Sequence, residues 1–121
     1  MTTPTPILYG IPNCDTVKRA RAWLADRPYD VQFHDFKKQG VPAAHLDRWI
    51  AAAGWERVLN RQGTSWRKLD DDTRAAVVDA ASARAVMLQQ PSCIKRPVIE
   101  WGDGASAPIT VGFAANFSAP L

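Results

Sequence analysis

Cysteine is scarce in this chain, which has two in 121 residues, Cys14 and Cys93. Two cysteines so far apart in the sequence do not make the disulfide framework of a small secreted domain. Val17 stands three residues after Cys14, so the C-x-x-C pair of a dithiol loop is absent. We therefore expect a reduced, cytosolic protein that completes any thiol chemistry with an external thiol.

Long apolar runs and targeting signals are missing as well. The longest apolar stretches fall well short of the ~18 residues that a membrane-spanning helix needs. The first six residues, Met1–Pro6, lack the basic start and apolar core of a secretory signal. These absences predict a cytoplasmic protein with no membrane partner.

Positive charge is not concentrated enough to indicate a nucleic-acid binder. Lysine and arginine number 15 against 12 aspartates and glutamates, which gives a formal net charge of +3. Such a modest excess can attract a small anion, but it lacks the dense clustering of nucleic-acid-binding surfaces. We expect no nucleic-acid partner.

Motifs for metals and nucleotides are also lacking. No dinucleotide glycine pattern, phosphate loop or Ser-His-Asp set occurs in the sequence. The two histidines, His34 and His45, are not spaced with either cysteine as zinc ligands are. We expect no bound cofactor and no metal site. The composition, 46% hydrophobic and 22% charged, predicts a single domain over residues 1–121.

Cys14 stands where a predicted strand gives way to a predicted helix. The strand, at about residues 6–10, carries the apolar run Ile7-Leu8-Tyr9, and Gly10–Asn13 then interrupts it. A helix is predicted at about residues 14–26 because apolar side chains recur there at helical spacing. Asn13 is the expected N-cap, which would put Cys14 in the first turn.

A cysteine in the first turn of a helix faces unpaired backbone N–H groups and the positive end of the helix dipole. A free thiol has a pKa of about 8.5, and helix N-termini lower that value to roughly 3.5–7.5. The position of Cys14 therefore predicts a thiolate nucleophile. The alternative is a small buried hydrophobic residue, which is a common role for an isolated cysteine.

The rest of the chain predicts two more sheet regions separated by helices. A second strand is expected at 31–35, and the strand–helix–strand order indicates a βαβ unit. Helical patterns fill residues 42–90. Two further strands, at 98–101 and 108–113, are joined by Gly102-Asp103-Gly104, which is typical of a hairpin. The expected fold is α/β, a thioredoxin-like four-stranded mixed sheet with a helical insertion between the second and third strands.

Within the insertion, the pattern gives provisional helix boundaries. Pro42 is well placed to start a helix that Gly54 ends. Asp70-Asp71-Asp72 is expected to start a helix that extends through Ala80, and Ser82 to cap the next helix before Pro91.

Two segments give the chain a family resemblance. Tyr9–Lys18, which reads Tyr-Gly-Ile-Pro-Asn-Cys-Asp-Thr-Val-Lys, and Ile94–Ile99, which reads Ile-Lys-Arg-Pro-Val-Ile, resemble the ArsC/Spx/YffB family of thioredoxin-fold proteins. The Gly-Ile-Pro-Asn-Cys-Asp-Thr form is most similar to the YffB-like branch. The resemblance implies that Cys14 is the redox nucleophile and that Arg96 and Pro97 fold back onto it, with Pro97 following a cis peptide bond.

The resemblance also assigns roles to cationic residues. Arg96 matches an arginine that steadies the thiolate and binds the oxyanion substrate, and a guanidinium can do both. Arg61 matches a second arginine of the pocket. Asn13, Lys18 and Pro97 are the further candidates for substrate binding, and Lys18 is the nearest candidate partner for the carboxylates of glutathione.

Two departures from the family pattern bear on the substrate. Arsenate reductases of this family carry a third arginine beyond the last strand, where residues 110–114 of this chain include the aromatic Phe113. The residue after the nucleophile is Asp15, where those enzymes have glycine. A carboxylate beside the anion site disfavours an arsenate dianion.

The leading interpretation is a cytosolic thiol-dependent reductase for which glutathione is the reducing co-substrate and a disulfide or a small oxyanion is the substrate. Glutaredoxin is a further candidate partner. Cys93 is either a resolving thiol or a packed side chain. Arsenate reduction proper remains an alternative, as does a non-enzymatic regulator like Spx, which docks on RNA polymerase.

Overall fold

Four strands form one mixed sheet in the structure, which is a computed structural model describing residues 5–102, 106–114 and 116–120. The strands are β1 (Ile7–Gly10), β2 (Gln32–Asp35), β3 (Val98–Glu100) and β4 (Ile109–Val111). Their order is β2-β1-β3-β4. β1 runs parallel to β2 and antiparallel to β3, and β3 pairs antiparallel with β4. The predicted fold class is confirmed.

The chain divides into two compact units. The described residues up to Gly40 and from Arg96 onward form the first, here called the sheet unit, and Val41–Lys95 form the second, here called the helical unit. The insertion predicted for about residues 42–90 falls within the second unit. The expectation of a single domain over residues 1–121 stays a prediction.

Helix α1 (Asp15–Ala25) packs on the sheet through a closely fitted apolar face. Its buried residues meet Leu8 of β1 and two residues of the β3 region in one cluster, which comprises Leu8, Val17, Ala20, Leu24, Ile99 and Trp101. Gly10 makes the close approach possible, because a Cβ atom there would lie 2.8 Å from Cγ2 of Val17. A glycine at the end of β1 therefore helps to set where α1 begins.

The C-terminal residues add aromatic packing to this cluster. The ring of Phe117 lies 5.0 Å from that of Trp23 in α1 and 6.0 Å from that of Trp101. The ring of Phe113 lies 5.0 Å from that of Phe117. Ring pairs at these separations stabilise a fold beyond the area that they bury. The segment after β4 is thus part of the sheet unit's core.

The helical unit consists of short helices. They are α3 (Ala43–Ala53), α4 (Trp55–Val58), α5 (Thr64–Arg67), α6 (Asp71–Ala75) and α7 (Ala80–Gln89), followed by a 3₁₀ turn at Pro91–Cys93. A further short helix, α2 (Phe36–Gln39), follows β2 in the sheet unit. Sequence periodicity missed α2 and α5 because four-residue helices are too short to show it. None of the helices in the described part of the chain has the length and apolar character that crossing a bilayer requires.

One helix boundary in this unit differs from the prediction. The helix expected to run from Asp70 through Ala80 ends at Ala75, and a new helix begins at Ala80. Asp79, rather than Ser82, is the N-cap: its carboxylate accepts from the Ser82 backbone N–H at 2.9 Å, while the Ser82 hydroxyl accepts from the Asp79 N–H at 3.1 Å. This reciprocal pair satisfies two N–H groups and fixes the start of α7.

The hairpin predicted between β3 and β4 is seen as an antiparallel pair. Of its predicted turn, Gly102 is described, and Asp103 and Gly104 lie outside the described residues.

Candidate active site

Cys14 is itself the N-cap residue of α1, whereas the sequence predicted Asn13 as the N-cap and Cys14 in the first turn. Its backbone is extended, with φ −137° and ψ 123°, and its carbonyl oxygen accepts the Lys18 N–H at 2.9 Å. Asn13, the expected cap, is exposed in the loop before the helix. The Cys14 side chain makes no hydrogen bond to the first helical N–H groups, and the N-cap position places the residue at the positive end of the helix dipole.

The surroundings of Cys14 are apolar on one side and open on the other. The side chain is half-buried and packs against the apolar cluster between α1 and the sheet that contains Leu8 and Val17. The thiol is not in a disulfide. Asn13 and Asp15, on either side of it, are exposed. A partly exposed free thiol at a helix N-terminus is the environment in which reactive cysteines occur. The fully buried interpretation of Cys14 does not hold.

The sheet register brings Arg96 and Pro97 to the end of the sheet where Cys14 lies. Tyr9, near the end of β1, pairs with Val98, the first residue of β3. Pro97 and Arg96 therefore continue past the strand end toward the loop that carries Cys14. The Arg96–Pro97 peptide bond is cis, as the resemblance implied. Sequence spacing alone could not have indicated this proximity, because it depends on which strands pair.

Pro97 is anchored on both sides. Its ring is fully buried, and its carbonyl oxygen accepts the N–H of Gly112 at 2.8 Å. Gly112 has a backbone φ of +86°, which residues other than glycine rarely adopt. Sequence reasoning missed Gly112 as a supporting residue, although a glycine directly after a short strand was the available signal.

Arg96 is half-buried, and its Nε atom is fully buried. A guanidinium in a partly desolvated position interacts more strongly with an anion than an exposed one does. Lys18 and two neighbours on α1, Arg19 and Arg21, are exposed cations. Cationic groups thus outnumber the one exposed carboxylate of Asp15 along this helix start.

Arg61 lies in the helical unit, where it belongs to a well-defined turn. Its guanidinium carbon lies 5.6 Å from the centroid of the Trp55 ring. The turn is held by Asn60, whose side-chain oxygen accepts the N–H of Gln62 at 3.1 Å. The side chain of Arg61 is exposed. Its role in an anion pocket stays a prediction.

Cys93 lies in the 3₁₀ turn of the helical unit. Its side chain is only 1% exposed, and its carbonyl oxygen accepts the N–H of Asn60 at 2.7 Å. Burial of this kind favours the packed interpretation over a resolving thiol, because exchange requires access to a disulfide sulfur.

The histidines have local structural partners. Nε2 of His34 lies 2.8 Å from the carbonyl oxygen of Gly40, and the His34 ring lies 4.9 Å from that of Tyr9. Within the ranges that the structure describes, no three His, Cys, Asp or Glu side chains cluster in a way that could hold a metal ion.

The mixed sheet has a free cysteine at the N-cap position of the first helix and a cis proline before the third strand. These features define a thioredoxin-like protein with a single-cysteine site. The ArsC family model matches residues 9–115, and the chain belongs to the ArsC family.

Three relatives refine this placement. The solved structure of a YffB protein superposes with a TM-score of 0.82 at 49% identity, covering 90% of this chain and 91% of that protein. An arsenate reductase (ArsC) related protein from Brucella melitensis is also 49% identical, with a TM-score of 0.72 and coverage of 95% and 92%. An uncharacterised protein of Haemophilus influenzae is 38% identical over 92 residues, or 76% of this chain and 80% of the relative. The YffB likeness supports the YffB-like branch.

Proposed function

We propose that this chain is a thiol-dependent reductase of the reducing cytoplasm, in which Cys14 is the nucleophile and glutathione the reducing co-substrate. The observation that carries the proposal is the position of Cys14, whose free and partly exposed thiol belongs to the N-cap residue of an 11-residue helix. The N-terminus of a helix is a favourable position for an anion. Membership of the ArsC family supports a thiol-dependent reductase.

The proposed reaction is a two-step disulfide exchange. The Cys14 thiolate attacks the glutathione sulfur of a mixed disulfide, a bond forms between these two sulfurs, and the substrate thiolate leaves. A second glutathione thiolate then attacks the bound glutathione sulfur, which releases glutathione disulfide and regenerates the Cys14 thiolate. The net change is release of the substrate as a free thiol and oxidation of one glutathione thiol, because the other half of the glutathione disulfide comes from the mixed disulfide. Glutaredoxin is the candidate protein partner for the second step.

The surrounding residues have distinct roles in this proposal. Arg96 stabilises the thiolate and holds an anionic group of the incoming partner. Lys18 and Asn13 contact the carboxylates and backbone of glutathione. Pro97, buried at the strand end, shapes the wall against which the disulfide lies. Because glutathione carries two carboxylates, cationic surroundings favour its binding.

Replacing Cys14 with serine tests the proposal. We expect turnover of a glutathione mixed disulfide, followed as consumption of reduced glutathione, to fall to the uncatalysed rate in Cys14→Ser, with the melting temperature nearly unchanged. The matched control is Cys93→Ser, which should keep its turnover. Activity retained by Cys14→Ser would reject the enzyme proposal.

Arsenate reduction is the second candidate, favoured by the name of the Brucella relative, an arsenate reductase (ArsC) related protein. The exposed Asp15 beside Cys14 argues against strong binding of a dianion. Glutathione consumption that depends on arsenate and saturates with it would favour this candidate. Consumption with organic disulfides alone would favour the first.

A further inference from the structure

A groove runs along the outer side of α1, between that helix and the edge strand β2. It contains a shallow, open pocket of about 270 Å³ whose lining residues are Arg21, Ala25, Tyr29, Val31 and Phe33. Sites for small-molecule ligands usually measure about 300–1,000 Å³. The cavity is therefore small for a cofactor and better suited to one or two side chains of a polypeptide.

The wall of the groove formed by β2 is apolar because of the strand's alternation. Phe33 pairs with Leu8, a core residue beneath α1, so its side chain lies on the helix side of the sheet. Val31, two residues earlier, lies on the same side. β2 stands at the end of the strand order. Edge strands are the places where extended peptides add to a sheet, with side chains entering pockets beside the strand.

The helix wall of the groove is cationic and leads toward Cys14. The guanidinium carbon of Arg21 lies 4.4 Å from the centroid of the Phe33 ring, which holds the charge over the groove. Cys14, Lys18, Arg21 and Ala25 follow one another at intervals of four, three and four residues, so they share one face of the helix. Lys18 and Arg21 are both exposed. A row of two cations thus connects the thiol to the apolar groove.

We infer that this groove binds an extended, acidic segment of a protein substrate, whose own cysteine is delivered to Cys14 while a bulky apolar side chain enters between Tyr29 and Phe33. The inference rests on the proposed function for the identity of the reacting sulfur. Charge complementarity with Lys18 and Arg21 selects acidic residues, and the aromatic walls select the apolar one.

The length of the segment follows from helix geometry. From Cys14 to Ala25 the helix rises about 16 Å, at 1.5 Å per residue. An extended chain covers this distance in about five residues, at roughly 3.3 Å each. The inferred substrate segment therefore carries its acidic side chains between its cysteine and the apolar side chain, which lies about five residues from the cysteine.

Binding can be tested without the chemistry. The probe is a fluorescein-labelled peptide, Ser-Gly-Glu-Asp-Gly-Phe, in which serine replaces the reacting cysteine, and the protein is the full chain with Cys14→Ser. Fluorescence anisotropy should show saturable binding, and adding Arg21→Glu should weaken it about tenfold or more. The matched control is Arg19→Glu, which makes the same charge change on an exposed residue about 200° around the helix.

A second variant covers the case in which Arg21→Glu does not fold. Ala25→Phe fills the groove while adding no charge, and we expect it to abolish binding of the peptide. Equal weakening by Arg19→Glu and Arg21→Glu, or unchanged binding in Ala25→Phe, would overturn the inference. So would equal binding of the peptide in which lysines replace its two acidic residues.

Turnover separates the groove from the proposed function. In the chain with Cys14 intact, Arg21→Glu should lower kcat/KM about tenfold for the corresponding cysteine peptide joined to glutathione, and leave hydroxyethyl disulfide turnover unchanged. Equal loss with both substrates would contradict a docking role. If the protein turns over neither substrate, the proposed function fails, and the anisotropy measurement still decides the groove.

Discussion

At the scale of single residues, the site depends on what the fold places around one sulfur atom. Cys14 combines partial exposure with the N-cap position of α1, whereas Cys93 is 1% exposed inside a 3₁₀ turn. Reactivity of a thiol requires both stabilisation of the thiolate and access to it. The two cysteines therefore differ in the access that a reaction partner has to the sulfur atom.

Arg96 gives the sharpest residue-scale prediction. We expect Arg96→Gln to lower kcat/KM for an anionic glutathione disulfide by about 10–100-fold, because a charge-assisted hydrogen bond to the substrate is lost. Arg96→Lys should show a smaller loss, since lysine keeps the positive charge but lacks the planar guanidinium that donates two parallel hydrogen bonds. The control is Lys95→Gln, which removes an exposed neighbouring cation. Equal effects of Arg96→Gln and Lys95→Gln would mean that only the net charge matters.

At the scale of elements, the fit of α1 on β1 fixes where the helix begins and so where Cys14 lies. Gly10 and Val17 lie close together in this fit, since a Cβ at Gly10 would come within 2.8 Å of a Val17 methyl group. Val17 is fully buried. Tightly packed cores do not absorb an added methyl group without shifts of the backbone.

Gly10→Ala should therefore destabilise the protein by about 1–3 kcal/mol in urea unfolding. The reason can be isolated with Val17→Ala, because removing the two methyl groups also removes the clash. In the double variant, the cost of Gly10→Ala should shrink by about 1 kcal/mol or more. Additive costs in the double variant would show that the clash is not the cause.

Sequence reasoning succeeded for the elements whose signals are local. Apolar periodicity predicts both the strand before Cys14 and the helix after it, and the Gly-Ile-Pro-Asn segment predicts the loop between them. The sequence predicted Asn13 as the N-cap because asparagine is a preferred N-cap residue. In the structure the N-cap is the next residue, Cys14. Boundaries of one or two residues depend on packing that periodicity does not contain.

Features formed by residues distant in the sequence could not be predicted in this way. The juxtaposition of Arg96 with the end of β1 requires the register between Tyr9 and Val98. The groove beside Phe33 likewise requires Arg21, twelve residues earlier, to lie across from it. The family resemblance supplied the first of these and not the second.

At the scale of the whole molecule, both compact units combine buried apolar side chains with helices that begin at aspartate caps. In the helical unit, α6 and α7 begin at the caps Asp70 and Asp79. The side-chain and backbone hydrogen bonds from Thr73 lower the pKa of Asp70, and the backbone and side-chain hydrogen bonds from Ser82 lower the pKa of Asp79. Acid should therefore act on the helical unit through these caps.

The direction of the pH effect follows from linkage. A carboxyl whose pKa is lower in the folded state stabilises the fold fully above its unfolded value of about 3.9, and loses this contribution as the pH falls through the folded value. Asparagine keeps the cap acceptor but does not titrate in this range. The variant carrying both Asp70→Asn and Asp79→Asn should thus lose less stability than the natural chain between pH 6 and pH 2.5. Parallel stability curves from urea unfolding would contradict this.

The central claim, that the fold makes Cys14 a nucleophile, is tested most directly by the alkylation rate of that thiol. In the full chain with Cys93→Ser, iodoacetamide should modify Cys14 at pH 6 about tenfold or more faster than it modifies N-acetylcysteine, and Arg96→Gln should reduce that advantage. A rate equal to that of N-acetylcysteine at pH 6, or no modification of the folded chain, would contradict the account.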